Sequence, residues 1–286
     1  MKQKKGNSRL PYIIIIILLV LGVALFLYPA LSKYVAELNQ SEVVKTYNDS
    51  VKRMKEEEYE AEWQRAVAYN ESLAGEPVKD PFLEGSGMAL PEDYLSILNI
   101  DGVMGNIEIP KISVNLPIYH GTDTDTLEKG VGHIRQTALP VGGSGTHAVL
   151  TGHTGLPNAK LFDDLTEMKE GDLFLLRILN QTLAYEVDSI LVVEPEDVKP
   201  LDPIPGEDHV TLVTCTPYGI NSHRLLVRGV RTEYHKEEVE KQKKEKKVMA
   251  AKELLMVEIA VILLLVFLIF IIFMKKRVRR KRKDRK

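Results

Sequence analysis

The hydrophobic pattern divides the chain into two long apolar runs near its ends and shorter periodic segments between them. Residues 12–31 contain no charged side chain, and residues 254–274 contain only one, Glu258. A run of about 20 apolar residues forms a helix about 30 Å long, which matches the hydrocarbon thickness of a bilayer. The pattern therefore predicts two transmembrane helices, and Glu258 lies at the outer end of the second.

The segment after the first run has a helical period. Apolar side chains recur every three or four positions across residues 33–74, for example at Tyr59, Trp63 and Val67, with Lys/Glu-rich turns between them. This predicts one or two amphipathic helices. Residues 75–91 then contain three Pro and three Gly, which excludes a helix and predicts a loop with an apolar tip at Phe82 and Leu83.

Residues 100–232 are predicted to be all-β. Short alternating or β-branched runs recur between turn residues, as expected for a barrel or a sandwich. The predicted strands are Val103–Ile109, Ile112–Ile118, His147–Thr151, Leu173–Ile178, Thr182–Val193, His209–Thr214 and Leu225–Val230, with a short helix at Leu161–Met168.

The distribution of charge along the chain predicts its orientation across a membrane. The net charge is only −2, yet residues 275–286 carry ten Lys/Arg against one Asp, and residues 32–253 carry 24 Lys/Arg against 38 Asp/Glu. Basic flanks favour the cytoplasmic side, so both termini are expected in the cytoplasm and the acidic middle outside the plasma membrane. A cleaved signal peptide is less favoured because no small-x-small site follows the first run. The basic tail is attributed to topology and anionic lipid rather than to nucleic acid.

The predicted organisation follows from these segments. It comprises a cytoplasmic basic N-terminus (1–11), a first transmembrane helix (12–31), an extracellular helical region (32–99) with a loop at 76–90, a β-domain (100–232), a charged helical linker (233–253), a second transmembrane helix (254–274) and a cytoplasmic basic tail (275–286).

Cys215 is the candidate for chemistry in the β-domain. It is the only cysteine, so no intramolecular disulfide is possible, and it is either a buried small side chain, an intermolecular bridge or a working thiol. It ends the strand HVTLVTC before a Pro-Gly turn, and a hairpin with loop residues 216–223 places Arg224 opposite it. A permanent guanidinium can favour the thiolate or stabilise an oxyanion.

A thiol nucleophile also needs a proton donor, which is usually histidine. His153 is preferred among the seven histidines because it follows a strand and lies in a loop between Gly152 and Gly155. His133 and His223 are the next candidates, and a structural role remains the alternative for any single histidine. Neither metal-binding spacing nor a Gly-rich phosphate loop is found, so no metal and no cofactor are predicted.

At this point the residues resemble a known family, the sortases. The strand Thr211-Leu212-Val213-Thr214-Cys215 is similar to the T-L-x-T-C signature of that family, and the segment from Cys215 to Gly229 resembles the active-site hairpin of its class C, pilus-building members. The segment Leu150-Thr151-Gly152-His153 resembles their histidine loop, although Thr154 stands where a basic residue is frequent. Residues 79–82 (KDPF) resemble their lid.

The resemblance implies an eight-stranded sortase-type β-barrel with N-terminal helices and two transmembrane helices. It implies that Cys215 attacks the Thr carbonyl of a Leu-Pro-x-Thr-Gly-like sorting signal, with His153 as general acid and base. Arg224 would stabilise substrate or oxyanion, with Thr214 in support. A Lys amine of another pilin subunit would then resolve the thioacyl-enzyme. Asp80, Pro81 and Phe82 would form a lid, with Phe82 near the thiol and Asp80 near Arg224.

Three other functions remain open from the sequence. A cell-wall-anchoring sortase would use a peptidoglycan amine as acceptor, and a cysteine protease would release free acid. A non-enzymatic, membrane-anchored β-domain would hold Cys215 merely buried. The implied partners are pilin subunits and membrane lipid.

Overall fold

The computed structural model describes residues 10–73, 78, 80, 82 and 90–244. The chain divides into two units, residues 1–235 and residues 236–286, and each is considered by itself. In the second unit residues 236–244 are helical, within the predicted charged linker. Pro81, most of the predicted lid and residues 245–286 lie outside the described residues.

Helices dominate the first unit as far as residue 99. They are α1 (Leu10–Arg53), α2 (Glu56–Ser72) and the short α3 (Glu92–Ser96), followed later by α4 (Thr124–Lys129). The helical period over residues 33–74 is confirmed as α2 and the second part of α1. Three acidic side chains lie in the first turn of α2, where they complement the helix dipole.

The predicted membrane spans fare differently from the amphipathic helices. Residues 12–31 fall inside α1, but among the residues that the structure describes no helix is long and apolar enough to cross a membrane. The second predicted span, residues 254–274, lies outside the described residues.

The β-domain is a closed barrel of eight strands in the order β1-β2-β3-β4-β7-β8-β6-β5. The β2–β3 and β4–β7 pairs are parallel and the others are antiparallel. The strands are β1 (Gly105–Ile109), β2 (Val114–His120), β3 (Val131–His133), β4 (Thr146–Thr151), β5 (Leu173–Ile178), β6 (Gln181–Val193), β7 (Asp208–Thr216) and β8 (His223–Thr232).

All seven predicted strands are confirmed, with ends shifted by a few residues, while β3 was not predicted. The predicted helix Leu161–Met168 is wrong, because only a 3-10 turn forms at Leu165–Glu167. The N–H groups of Leu165 and Met168 donate to carbonyls three residues back, those of Phe162 and Leu165, rather than four, which gives 3-10 turns.

The alternation of side chains gives β4, β7 and β8 two different faces. One face carries Ala148, Leu150, Leu212 and Val227 into the large core of the barrel. The opposite side of these strands, here called the outer face, carries a smaller apolar cluster formed by Ile134, Val149, Leu201, Val213 and Leu226. Val78, Phe82, Val193 and Val198 pack against that cluster, so the outer face is itself covered.

Candidate active site

The β7–β8 hairpin sets the position of the cysteine and the arginine. The register pairs Cys215 directly with Arg224, as the sequence predicts. Because the strands extend to Thr216 and His223, the connecting loop covers residues 217–222 and is shorter than predicted. Cys215 and Arg224 are 8% and 6% exposed, so both polar groups are screened from water.

The parallel pairing of β4 with β7 brings His153 to the same place. The last pair in this register is Thr151 with Val213. Two residues further along, the same register places His153 level with Cys215 on the neighbouring segment of the chain. Neighbouring strands are about 4.8 Å apart, and registered side chains share a face. The pairing continues past the end of β4 because the Gly152 N–H donates to the Val213 carbonyl over 3.1 Å.

Thr214 holds the histidine loop in this register. Its hydroxyl donates to the carbonyl of Gly152 over 2.7 Å, and Thr214 is buried. This bond fixes the distance between Gly152, which precedes His153, and Thr214, which precedes Cys215. It gives the supporting role predicted for Thr214 a geometric basis.

The two glycines beside His153 are needed for different reasons. A Cβ at Gly152 would lie 2.9 Å from Cδ2 of Phe162, so only a glycine lets the loop pass over that ring. Gly155 has a φ of +80°, in the left-handed region that favours glycine. Since the Phe162 N–H also donates to the His153 carbonyl over 3.0 Å, the loop is fixed on both sides of the imidazole.

Asp80 reaches the site from the predicted lid. Its carboxylate oxygen Oδ2 lies 2.6 Å from Nε of Arg224, and the two side chains are 2% and 7% exposed. The contact is an ion pair without a well-aligned hydrogen bond. The other carboxylate oxygen accepts from the Phe82 N–H over 2.8 Å. This confirms that Asp80 lies beside Arg224.

Phe82 covers His153 and also lies against Arg224. Its ring centroid lies 5.2 Å from that of His153 and 5.2 Å from Cζ of Arg224. The latter contact is a cation–π geometry. The aromatic ring therefore lies against both the imidazole and the guanidinium.

Burial shifts the pKa of both the Cys215 thiol and the His153 imidazole. Burial and, to a smaller extent, the Asp80 carboxylate raise the pKa of the Cys215 thiol, while Arg224 lowers it, with a net shift above the ordinary value. Burial lowers the pKa of His153, and the opposing effect of Glu128 does not cancel this. With Asp80 and Phe82 in place, the pair is a neutral thiol beside a neutral imidazole near pH 7.

The two alternative histidines occupy other places. His133 is fully buried, with Nδ1 2.8 Å from the Tyr94 hydroxyl and Nε2 2.8 Å from the Ala138 carbonyl, and burial lowers its pKa to about 4. His223 is half exposed, with Nε2 3.2 Å from a Glu194 carboxylate oxygen. The structure therefore brings His153, rather than either alternative, level with Cys215.

An apolar wall beside the site was not predicted from the sequence. Val198 and Leu201 belong to the connection between β6 and β7 and pack on the cluster that contains Val213. A sequence signal for this contact exists. Residues 194–205 (EPEDVKPLDPIP) are Pro-rich and polar, with isolated apolar residues. Such isolated residues indicate a loop that folds back onto a surface, although not which surface it covers.

Known proteins are similar to this chain in both fold and sequence. The sortase domain model matches residues 107–232. A solved structure of Sortase C from Streptococcus pneumoniae has a TM-score of 0.63 and 46% sequence identity, covering 68% of this chain and 97% of that one. For sortase C-1 from Actinomyces oris the TM-score is 0.61 and the identity 53%, covering 62% of this chain and 99% of that one.

A curated relative, Sortase A of Streptococcus agalactiae, is 34% identical over 117 residues. That match covers 40% of this chain and about half the length of the relative, 47%. A thiol, an imidazole and a guanidinium on a closed eight-stranded barrel agree with these similarities. The chain belongs to the sortase family of cysteine transpeptidases.

Proposed function

We propose that this sortase polymerises pilins. It would cleave a Leu-Pro-x-Thr-Gly-like sorting signal between Thr and Gly and join the Thr carbonyl to a Lys amine of another pilin subunit. The observation that carries the proposal is the register of three chain segments. It pairs Cys215 with Arg224, and its last β4–β7 pair, Thr151 with Val213, lies two residues before His153 and Cys215.

Acylation would begin when the thiol sulfur attacks the Thr carbonyl carbon and the thiol proton passes to His153. Arg224 would stabilise the resulting oxyanion, since a fixed cation is most effective where charge develops in a water-poor site. Collapse of the tetrahedral intermediate breaks the Thr–Gly C–N bond. His153 then gives its proton to the departing Gly amine, leaving a thioacyl-enzyme.

Deacylation would use the same groups in reverse. The Lys amine attacks the thioester carbonyl, His153 accepts the amine proton, and the Cys215 thiolate leaves and is reprotonated. The product is an isopeptide bond between two subunits. Exclusion of water during this step favours the amine over hydrolysis.

Asp80 and Phe82 would act as a lid that opposes acylation. They occupy the space in front of His153 and Arg224, and the buried ion pair engages the guanidinium that the oxyanion needs. Substrate entry would require both side chains to leave. The solved structure of S. pneumoniae Sortase C is described as bearing on pilin substrate specificity, and its identity to this chain supports pilins as the substrate class here.

Intact mass spectrometry of the purified full chain with a Leu-Pro-Ser-Thr-Gly peptide tests this function. Wild type is compared with Cys215→Ala and with the double variant Asp80→Ala/Phe82→Ala. We expect a thioacyl adduct that is absent from Cys215→Ala and larger in the double variant. Adding a pilin or a peptidoglycan amine to the adduct then identifies the acceptor.

Each alternative function predicts a different result. Free acid without isopeptide product would indicate a protease, and transfer only to a peptidoglycan amine would indicate cell-wall anchoring. Lack of any adduct would contradict the enzymatic proposal, and unchanged biological activity of Cys215→Ala would favour a non-enzymatic domain.

Location is a separate proposal that depends on the sequence. The protein would cross the plasma membrane twice, with both termini in the cytoplasm and the barrel outside, because long apolar runs lie next to basic ends. Large apolar side chains from Ile17 to Leu38, including Phe26 at 84%, are exposed on α1. An apolar environment would accommodate them.

Labelling of intact cells with a membrane-impermeant maleimide tests this topology. In a Cys215→Ala background, Ser222→Cys in the exposed β7–β8 loop should be labelled from outside. Ser8→Cys near the N-terminus should react only after the cells are permeabilised. The reverse pattern, or equal labelling of both, would contradict the proposal.

A further inference from the structure

A cavity of about 230 Å³ lies on the outer face, beyond the apolar cluster that borders the site. Ala138, His147 and Gln136 are among the residues that line it. It is larger than the roughly 150 Å³ cavity that accommodates a benzene ring. None of the catalytic steps described above uses this space.

The cavity and the apolar cluster share walls. Val78 and Leu201 line the cavity and also belong to, or pack on, the cluster that contains Val149 and Val213. His147 precedes Val149 by two positions on β4, so the two side chains share a face. One continuous surface therefore runs along β4 from His153 to the cavity.

Distance along this surface assigns the cavity to a part of the substrate. His147 lies six positions before His153, about 20 Å at roughly 3.3 Å per residue. In an extended sorting signal the Leu lies three residues before the Thr that is attacked, or about 10 Å away. For a sorting signal that runs along β4 with its N-terminal end toward Thr146, the cavity lies level with the residues that precede the Leu.

The walls of the cavity select by charge and polarity. Burial lowers the pKa of His147 to about 4, so its ring is neutral, and both of its nitrogens are already bonded, to the Thr211 hydroxyl and the Asp202 carbonyl. Asp202 is then the one charged side chain among the lining residues that the structure describes. Gln136 has no hydrogen bond within the described part of the chain, so its amide can bond to a ligand.

We infer that this cavity is a subsite for the segment immediately before the sorting signal, and that it prefers a neutral polar side chain over an acidic one. The inference rests on the proposed function, since it needs a peptide whose Thr lies at Cys215. It adds a specificity element outside the five-residue signal. Gln136 would bond to the upstream residue, and Asp202 would repel a carboxylate.

Three peptides test the subsite in the full chain that carries Asp80→Ala and Phe82→Ala, so that the lid does not limit entry. They are acetyl-Leu-Pro-Ser-Thr-Gly-amide and the same peptide extended at its N-terminus by Ala-Gln-Ala or by Ala-Glu-Ala. The second-order rate of thioacyl formation is measured by mass spectrometry. We expect the Ala-Gln-Ala extension to raise this rate about tenfold, which is about 1.4 kcal/mol, and the Ala-Glu-Ala extension to lose most of that gain.

Ala138→Met places a larger side chain in the floor of the cavity and should abolish the gain from the extension. Ala68→Met, the same change at an exposed position of α2, should retain it. The rate with the short peptide shows whether each variant is folded. In the parent chain the three peptides are compared without any further substitution.

Equal rates for the short and the Gln-extended peptide would overturn the subsite while leaving the proposed function standing. A gain that persists in folded Ala138→Met would also overturn it. If none of the three peptides formed an adduct, the proposed function itself would fall, and the subsite with it.

Discussion

Two arginine–aspartate pairs lie on the outer face of β8, four positions apart, and they differ in what holds the aspartate. Arg228 pairs with Asp188 of β6, so both partners belong to the barrel. Arg224 pairs with Asp80, which comes from outside the barrel. The first pair is 27% exposed on both sides, whereas the second is almost completely buried.

The geometry of the two pairs reflects this difference. Arg228 makes several hydrogen bonds to both Asp188 oxygens, and Asp188 occupies the bulge where the β6–β8 register shifts between Val187 and Ser189. Arg224 instead donates to the carbonyls of Asn221 and His223, and Asp80 only approaches its Nε. One pair lies within the barrel, and the other joins the barrel to a segment outside it, which in the proposed function gives way to substrate.

The largest expected difference is in acyl transfer. Arg224→Ala should reduce the rate of thioacyl formation about 100-fold or more, the usual effect of removing a donor to an oxyanion. Arg228→Ala, the matched change in the framework pair, should stay within about twofold. Initial rates of adduct formation on the full chain measure both, and equal losses would remove the distinction between the pairs.

The next effect is on the thiol itself. Asp80→Asn removes a carboxylate that raises the pKa of Cys215 and loosens the cover that buries the thiol, so the thiolate fraction at pH 7.5 should increase. Alkylation of Cys215 by iodoacetamide should accelerate about tenfold, about 1.4 kcal/mol in free energy. Asp188→Asn serves as the control, and an equal acceleration there would indicate general loosening instead.

A smaller shift is expected at the imidazoles of β4 and its loop. Burial lowers the pKa of both His153 and His147, but Phe82 contributes cover only to His153. In Phe82→Ala water reaches the His153 ring, so its pKa should rise toward the ordinary 6.5 while that of His147 stays near 4. NMR titration of the two rings measures this, and a parallel rise of both would contradict it.

The smallest effect is on stability. Asp188→Ala should lower the free energy of unfolding by about 0.5–1 kcal/mol, as is usual for a partly exposed pair. Asp80→Ala should change it by less, because the lid can move away and let Arg224 regain water. Urea unfolding of both variants at pH 7 compares them, and a larger loss for Asp80→Ala would make the lid contact part of the framework.

Much of the site could be predicted because its chemistry is local in the chain. Cys215 and Arg224 belong to one hairpin, whose register follows from the turn between them. His153 follows a strand that is far away in sequence, and the residues alone offered only its position after a strand end and the flanking glycines. The parallel register that aligns it with Cys215 is a property of the closed barrel.

Other features could not be predicted because they depend on long-range contacts. Strand β3 is three residues long, too short for an alternating pattern to appear. Val198 and Leu201 form a wall only because their loop folds onto Val213. The cavity beside His147 is shaped by several loops at once, so no single segment of sequence carries its signal.

The parallel pairing of β4 with β7 also has a consequence for the order in which the site forms during folding. Such pairing closes a long loop of chain and is slow, because loop-closure entropy is lost before the contacts form. A chain that has been synthesised only as far as β6 holds His153 but lacks Cys215, and a finished hairpin without β4 holds Cys215 but lacks its base. The thiol, the imidazole and the guanidinium therefore come together only in the completed barrel.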